Sequence, residues 1–209
     1  MTSIEHITLE VADTAAAERF YAEAFGLGDL LRFREAAEPS TGFRGFTLSI
    51  IVSQPADVHA FVDAAIAAGA TVLKPVSSSL WGVGGSVQAP DGTIWKVATS
   101  GKKDTRPARK KADSVVLLVG ADDVKASKRF YVERGLTVGK SFGSYVDFAL
   151  TGSPIGFGLY KRAALAKDAG VPVEGSGSHR IQVGWDGAAG TDPDGFAWTT
   201  AGVSSGAAS

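Results

Sequence analysis

The chain of 209 residues contains no cysteine, so disulfides, thiolate metal sites and cysteine nucleophiles are excluded. It has only three histidines and no G-x-S-x-G elbow, and no Ser-His-Asp arrangement stands out. An excess of charge of one sign is also missing. Its 21 lysines and arginines against 22 aspartates and glutamates leave a net charge of −1, which provides no whole-molecule field for nucleic acid. No apolar run approaches the roughly 18 residues of a membrane span. The amino-terminal stretch carries neither the basic region nor the apolar core of a secretory signal. These absences predict a cytoplasmic protein without membrane or nucleic-acid partners.

What is present is globular: 44% hydrophobic and 21% charged residues, over a length that accommodates two domains of about 100 residues each. One segment breaks the pattern. Residues 101–112, GKKDTRPARKKA, are basic, lack apolar periodicity and carry no aromatic residue for base stacking. They read as a solvated linker rather than a patch for an acidic partner. The expected domains are therefore 1–100 and 113–201, and GVSSGAAS (202–209) reads as a disordered tail.

The two sides of the linker echo each other. IEHITLEV (4–11) followed by DTAAAERFYAEAFGLG (13–28) is matched by SVVLLV (114–119) followed by DDVKASKRFYVERGLTVG (122–139). A second echo closes each half: APDGTIWKVATS (89–100) and DPDGFAWTTAGV (192–203). Two echoes in the same order imply a duplicated domain. In the first strand Ile7, Leu9 and Val11 share one face, and Ile4, His6, Thr8 and Glu10 the other. Asp13 can cap the following helix, whose Ala17, Phe20, Tyr21, Ala24 and Phe25 recur at helical spacing before Gly26. Strands are expected at 30–34, 46–52, 72–74, 86–89 and 93–98 and a helix at 55–68. In the second half the expected strands are 138–141, 145–150, 155–160, 180–185 and 196–200, with a helix at 162–169. The fold class is α+β: curled, mainly antiparallel sheets with helices on the outer face and a cleft on the inner face.

The sequence H-x-x-x-x-V-x-D, the helix carrying F-Y, the following Gly-Leu and the later P-D-G together resemble the vicinal-oxygen-chelate superfamily of glyoxalases, bleomycin-resistance proteins and extradiol dioxygenases. The resemblance runs over nearly the whole chain, once on each side of the linker. It implies two tandem glyoxalase-like domains built from βαβββ modules. The family's metalloenzymes hold one divalent ion with His and Glu from the strands lining the cleft. By that resemblance the first-strand position is His6, which matches, but the Glu position after the P-D-G turn is Lys96, and an ammonium repels a cation. The mid-domain position falls near Thr47. In the second half the corresponding positions are Ser114 and Thr199, with His179 as the one further imidazole to offer. His179 shares parity with Ile181 and Val183, the packed face, unless a bulge intervenes. The third histidine, His59, falls on the helix at 55–68.

Trp81, in SSSLWGVGGS, reads as a cleft wall or lid on a glycine-rich loop, or equally as a plug over the core. Trp95 and Trp198 read as core, and Ile94 and Lys96 as facing the cleft, where Lys96 either binds an anionic ligand or, as the preferred reading, bridges to Glu10 on a neighbouring strand. The expected ligand-binding set is His6, Thr8, Glu10, Thr47, Trp81, Ile94, Lys96, Ser114 and Thr199, and the expected metal ligands, if any, are His6 and His179. The leading expectation is a protein that binds a small organic molecule without a metal cofactor, as a monomer or homodimer. The alternative is a divalent-metal-dependent lyase, isomerase or dioxygenase that uses His6.

Overall fold

A computed structural model describes residues 2–201. Its first half runs β1 (Ile4–Val11), α1 (Thr14–Ala24), a short 3-10 turn, β2 (Leu31–Glu35), β3 (Ser40–Gly42), β4 (Phe46–Ile51), α2 (Pro55–Ala67), β5 (Thr71–Ser79), β6 (Gly82–Gln88) and β7 (Ile94–Thr99). The second runs β8 (Ser114–Ala121), α3 (Val124–Glu133), β9 (Thr137–Phe142), β10 (Tyr145–Ala149), β11 (Ile155–Lys161), α4 (Arg162–Ala169), β12 (Gly175–Gly177), β13 (Ile181–Trp185), β14 (Gly190–Thr191) and β15 (Ala197–Thr200). The Asp13 and Asp123 side chains accept main-chain N–H groups in the first turns of α1 and α3, as N-cap residues do.

The strands form two large sheets and a two-stranded patch. The five-stranded sheet has the order β14-β15-β13-β1-β2, and the eight-stranded sheet β5-β6-β7-β4-β8-β11-β10-β9. Each joins strands from both sides of residues 101–112: β1 pairs antiparallel with β13, and β4 antiparallel with β8. The small patch does the same, pairing β3 with β12. In the eight-stranded sheet the orders β4-β7-β6-β5 and β8-β11-β10-β9 are mirror repeats about the β4–β8 seam. This relation superposes β4 on β8, whereas the sequence echo aligns β1 with β8.

One apolar core unites both sheets. It includes Ile7, Leu9 and Val11 of β1, Leu48 and Ile50 of β4, Leu117 and Val119 of β8, and the aromatic faces of α1 and α3. Ile4 belongs to this core as well, although alternation placed it with His6. A register shift between Ile4 and His6 in the β1–β13 pairing resets the parity, as a bulge does.

The echoed motifs explain themselves in the core. Trp95 Nε1 donates to the Tyr21 hydroxyl at 3.3 Å, and that hydroxyl donates to Asp91 at 3.1 Å. In the second half Trp198 Nε1 donates to the Tyr131 hydroxyl at 3.1 Å, and Tyr131 donates to Asp192. The F-Y helix, the P-D-G turn and the closing-strand tryptophan form one Trp–Tyr–Asp relay in each half. The acceptor differs: Asp91 lies inside its P-D-G, whereas Asp192 precedes Pro193. Burial, followed by the adjacent carboxylate, pushes both tyrosine hydroxyls well above their ordinary range, so these are structural donors.

Residues 101–112 differ from the solvated linker expected of them. Asp57, fully buried at the start of α2, is bridged by Arg106 at 2.7 Å and accepts the Arg109 N–H at 2.7 Å. Gln54 receives the Thr105 N–H at 2.9 Å and donates to the Arg106 carbonyl at 2.8 Å. Asp104 accepts the Ala56 N–H at 2.7 Å. The segment is a strap fixed across the start of α2, and composition alone conceals the two buried acceptors that hold it. The predicted tail, 202–209, lies outside the described residues.

Candidate functional site

The residues expected to share one hollow are divided between the two sheets. His6, Thr8 and Glu10 lie on β1 and Thr199 on β15, all in the five-stranded sheet. Thr47 on β4, Ile94 and Lys96 on β7 and Ser114 on β8 belong to the eight-stranded sheet, and Trp81 to the hairpin joining β5 and β6. Reading β1 and β7 as neighbours is corrected by the pairing, because β1 bonds to β2 and β13 while β7 bonds to β4 and β6.

On the five-stranded sheet His6 is paired across from Gly184, where any side chain would collide with the imidazole ring. His6 is buried, and its Nδ1 has no hydrogen-bond partner. Burial, followed by the charge of Arg32, holds its pKa below the ordinary histidine value. Glu10 is bridged by Arg34 and lies 3.5 Å from Ser178 Oγ. Thr8 is half-buried beside Gln182, and the Thr199 hydroxyl faces the Val183 carbonyl at 3.5 Å.

These donors do not fit a divalent ion. His6 faces a cation, Glu10 already has a guanidinium partner, and the remaining groups are hydroxyls and an amide. His179, offered as a ligand from sequence, is corrected by its geometry. Its Nδ1 lies 2.6 Å from the Arg44 carbonyl and its Nε2 3.0 Å from the Asp194 carbonyl, so neither nitrogen is open to an ion. Its ring stacks on Phe196 with centroids 3.9 Å apart. Arg180, the one described non-glycine residue with positive φ (54°), separates His179 from β13 and ends the alternation there. Among the described residues no group of three or more His, Cys, Asp or Glu could hold a metal.

The eight-stranded sheet carries a second candidate site, and sequence reasoning missed what shapes it. Helix α4 leaves β11 without a loop and lies on the sheet's open face. Leu165, Ala166 and Ala169 pack there against Ile94 and Phe43, with Leu118 and Tyr160 at the margin. Polar anchors fix its carboxyl-terminal end: Lys74 Nζ donates to the Lys167 and Asp168 carbonyls at 2.8 Å each, and Ser86 Oγ to the Ala169 carbonyl at 2.9 Å. Lys96 pairs with Asp168 rather than with the expected Glu10. Ile94 is covered by this helix, and Thr47 is fully buried with its hydroxyl unpartnered, so neither presents a surface to a ligand. Ser114 is exposed at the start of β8.

Beyond the end of α4 a hollow of about 400 Å³ stays open over β5, β6 and β7. Gly84 and Gly85 contribute to its floor, the hydroxyls of Ser77, Ser86 and Thr99 line it, and the Lys96–Asp168 pair forms one wall. Trp81 stands at its rim, 85% exposed. The stretch SSSLWGVGGS is not a loop. It forms the ends of β5 and β6, with Ser79 paired to Gly82 and only Leu80 and Trp81 at the turn. Trp81 is therefore no plug over the core.

No family profile matches the sequence, and neither does any curated protein. Solved structures do resemble the fold. Glyoxalase I from Zea mays superposes with a TM-score of 0.62 at 14% identity, covering 95% of this chain and 91% of that one. A putative dioxygenase from Bacillus subtilis subsp. subtilis str. 168 gives a TM-score of 0.57 at 13% identity, covering 88% of this chain and 69% of that one. The chain shares the fold of glyoxalase I, built here as one five-stranded and one eight-stranded sheet.

Proposed function

We propose that this protein binds a small organic molecule in the hollow beside α4, without a complete metal site. The observation that carries this reading is the lining of the hollow. An exposed indole stands at the rim of a glycine-floored strand face, and the Lys96–Asp168 pair forms one wall. Concave sites of this size, with an apolar wall and a few convergent polar groups, suit drug-sized ligands.

The test is a titration of a compound library followed by tryptophan fluorescence, repeated in Trp81→Phe to separate the rim indole from the three buried ones. The expected result is saturable quenching lost in Trp81→Phe. Metal analysis of protein purified without chelator runs alongside. A stoichiometric divalent ion that disappears in His6→Ala, with no quenching from Trp81, refutes the reading and favours the metal-dependent alternative.

A further inference from the structure

The charges around the hollow narrow the chemistry of its occupant. Lys96 and Lys74 both point to the α4 end. Among the described residues Asp168 is the one carboxylate lining the hollow, and it sits in the last turn of α4. That is an unfavourable place for an anion, because the carbonyl end of a helix already carries partial negative charge. Lys74 is held by two main-chain carbonyls of that same turn, so its charge offsets the helix end. Asp168 is held there by Lys96, with side-chain exposures of 41% and 23% respectively, so the pair is open to the hollow. At the opposite rim stands the flat, exposed ring of Trp81, and hydroxyls lie between.

We propose that the ligand is a small planar aromatic acid: its ring stacks on Trp81 and its carboxylate or sulfonate takes Lys96 from Asp168. Asp168 is then an internal stand-in for the ligand's anionic group, keeping a partly desolvated lysine paired until the ligand arrives. Charge-assisted contact to Lys96 supplies orientation, and the indole supplies a platform for an aromatic face. The inference rests on the binding reading given above and adds the class of ligand.

Two substitutions should act in opposite directions. The probes are 2-naphthoate and its neutral isostere 2-naphthamide, titrated by calorimetry against the wild-type chain, Lys96→Met and Asp168→Asn. In the wild type the acid should bind about 10-fold more tightly than the amide, a difference of about 1.4 kcal/mol. Lys96→Met should abolish that preference. Asp168→Asn should tighten the acid several-fold and leave the amide unchanged, because the competing carboxylate is gone. Circular dichroism on each variant checks that the fold is kept, and rising salt should weaken only the acid. Equal affinity for acid and amide, unmoved by Asp168→Asn, overturns the ligand class and leaves the binding reading standing. Binding of neither probe, with no response from Trp81 to any library compound, overturns both.

Discussion

The duplicated Trp–Tyr–Asp relay makes a sharp prediction, because its two copies differ in how much each tyrosine carries. In the second half the Tyr131 hydroxyl is the partner of Asp192 Oδ2, while Oδ1 takes the Asp194 and Phe196 N–H groups. Removing the hydroxyl in Tyr131→Phe leaves a buried carboxylate oxygen without a donor and the Trp198 N–H without an acceptor. At about 1–3 kcal/mol for each of the two stranded groups, the loss is about 2–6 kcal/mol. For a chain of this size that lowers the melting temperature by about 4–24 °C. In the first half Asp91 keeps the Thr93 N–H at 3.0 Å and hydroxyl at 2.9 Å, so Tyr21→Phe should cost less, about 1–3 kcal/mol. Urea and thermal unfolding of the two variants measure the order directly. Equal losses, or a larger loss in Tyr21→Phe, refute the assignment.

The same relay has a pH signature. Burial raises the Asp192 carboxyl above its ordinary value, and the hydrogen bond from Tyr131 partly counters this. A carboxyl raised on folding stabilises the protein most at low pH, and that contribution is lost as pH rises through the folded value. Without the Tyr131 hydroxyl the folded value rises further. The deficit of Tyr131→Phe should therefore be greatest at neutral pH and shrink on acidification.

Three further outcomes are expected. His179→Ala removes the ring's hydrogen bonding to the main chain and the stack on Phe196, so equilibrium unfolding should show a loss of about 1–4 kcal/mol, with divalent-ion binding unchanged by isothermal calorimetry. Leu165→Ala, at a fully buried position of α4, should cost about 2–5 kcal/mol in denaturant titration. For Asp57, burial pushes the carboxyl upward, but the Arg106 guanidinium and the Arg109 N–H outweigh it, and the folded value lies below the ordinary one. Its stabilisation is present above the unfolded carboxyl value and lost as pH falls through the folded one. Arg106→Gln should cost about 1–3 kcal/mol at neutral pH and flatten the acid side of the stability profile measured by thermal melts.

Local order was legible in the sequence because it is written in local periodicity. The bounds of β1 and α4 match the expected segments, and Trp95 and Trp198 are core as alternation on the closing strands implied. Long-range pairing was not legible. Alternation of Ile7, Leu9 and Val11 says that one face is packed but not which strand lies alongside, and β1 took β13 from the far half. Only 72–74 of β5 was legible, because an edge strand with little burial has no apolar alternation to mark its full length. His179 could not be placed by counting, since the left-handed turn at Arg180 resets the parity. The position of α4 was hidden too. Its short apolar stripe of Leu165, Ala166 and Ala169 announces a packed helix without saying that the packing partner is the inner face of a curved sheet.

The interleaving of β1 with β13 and β4 with β8 also bears on how the chain can be divided. A cut within 101–112 would give two fragments that each present bare strand edges and half a core, so neither should fold alone. Mixed together, they should reassemble by completing one another's sheets. That property would make the basic strap a usable junction for a two-piece reporter, whose signal depends on the fragments meeting.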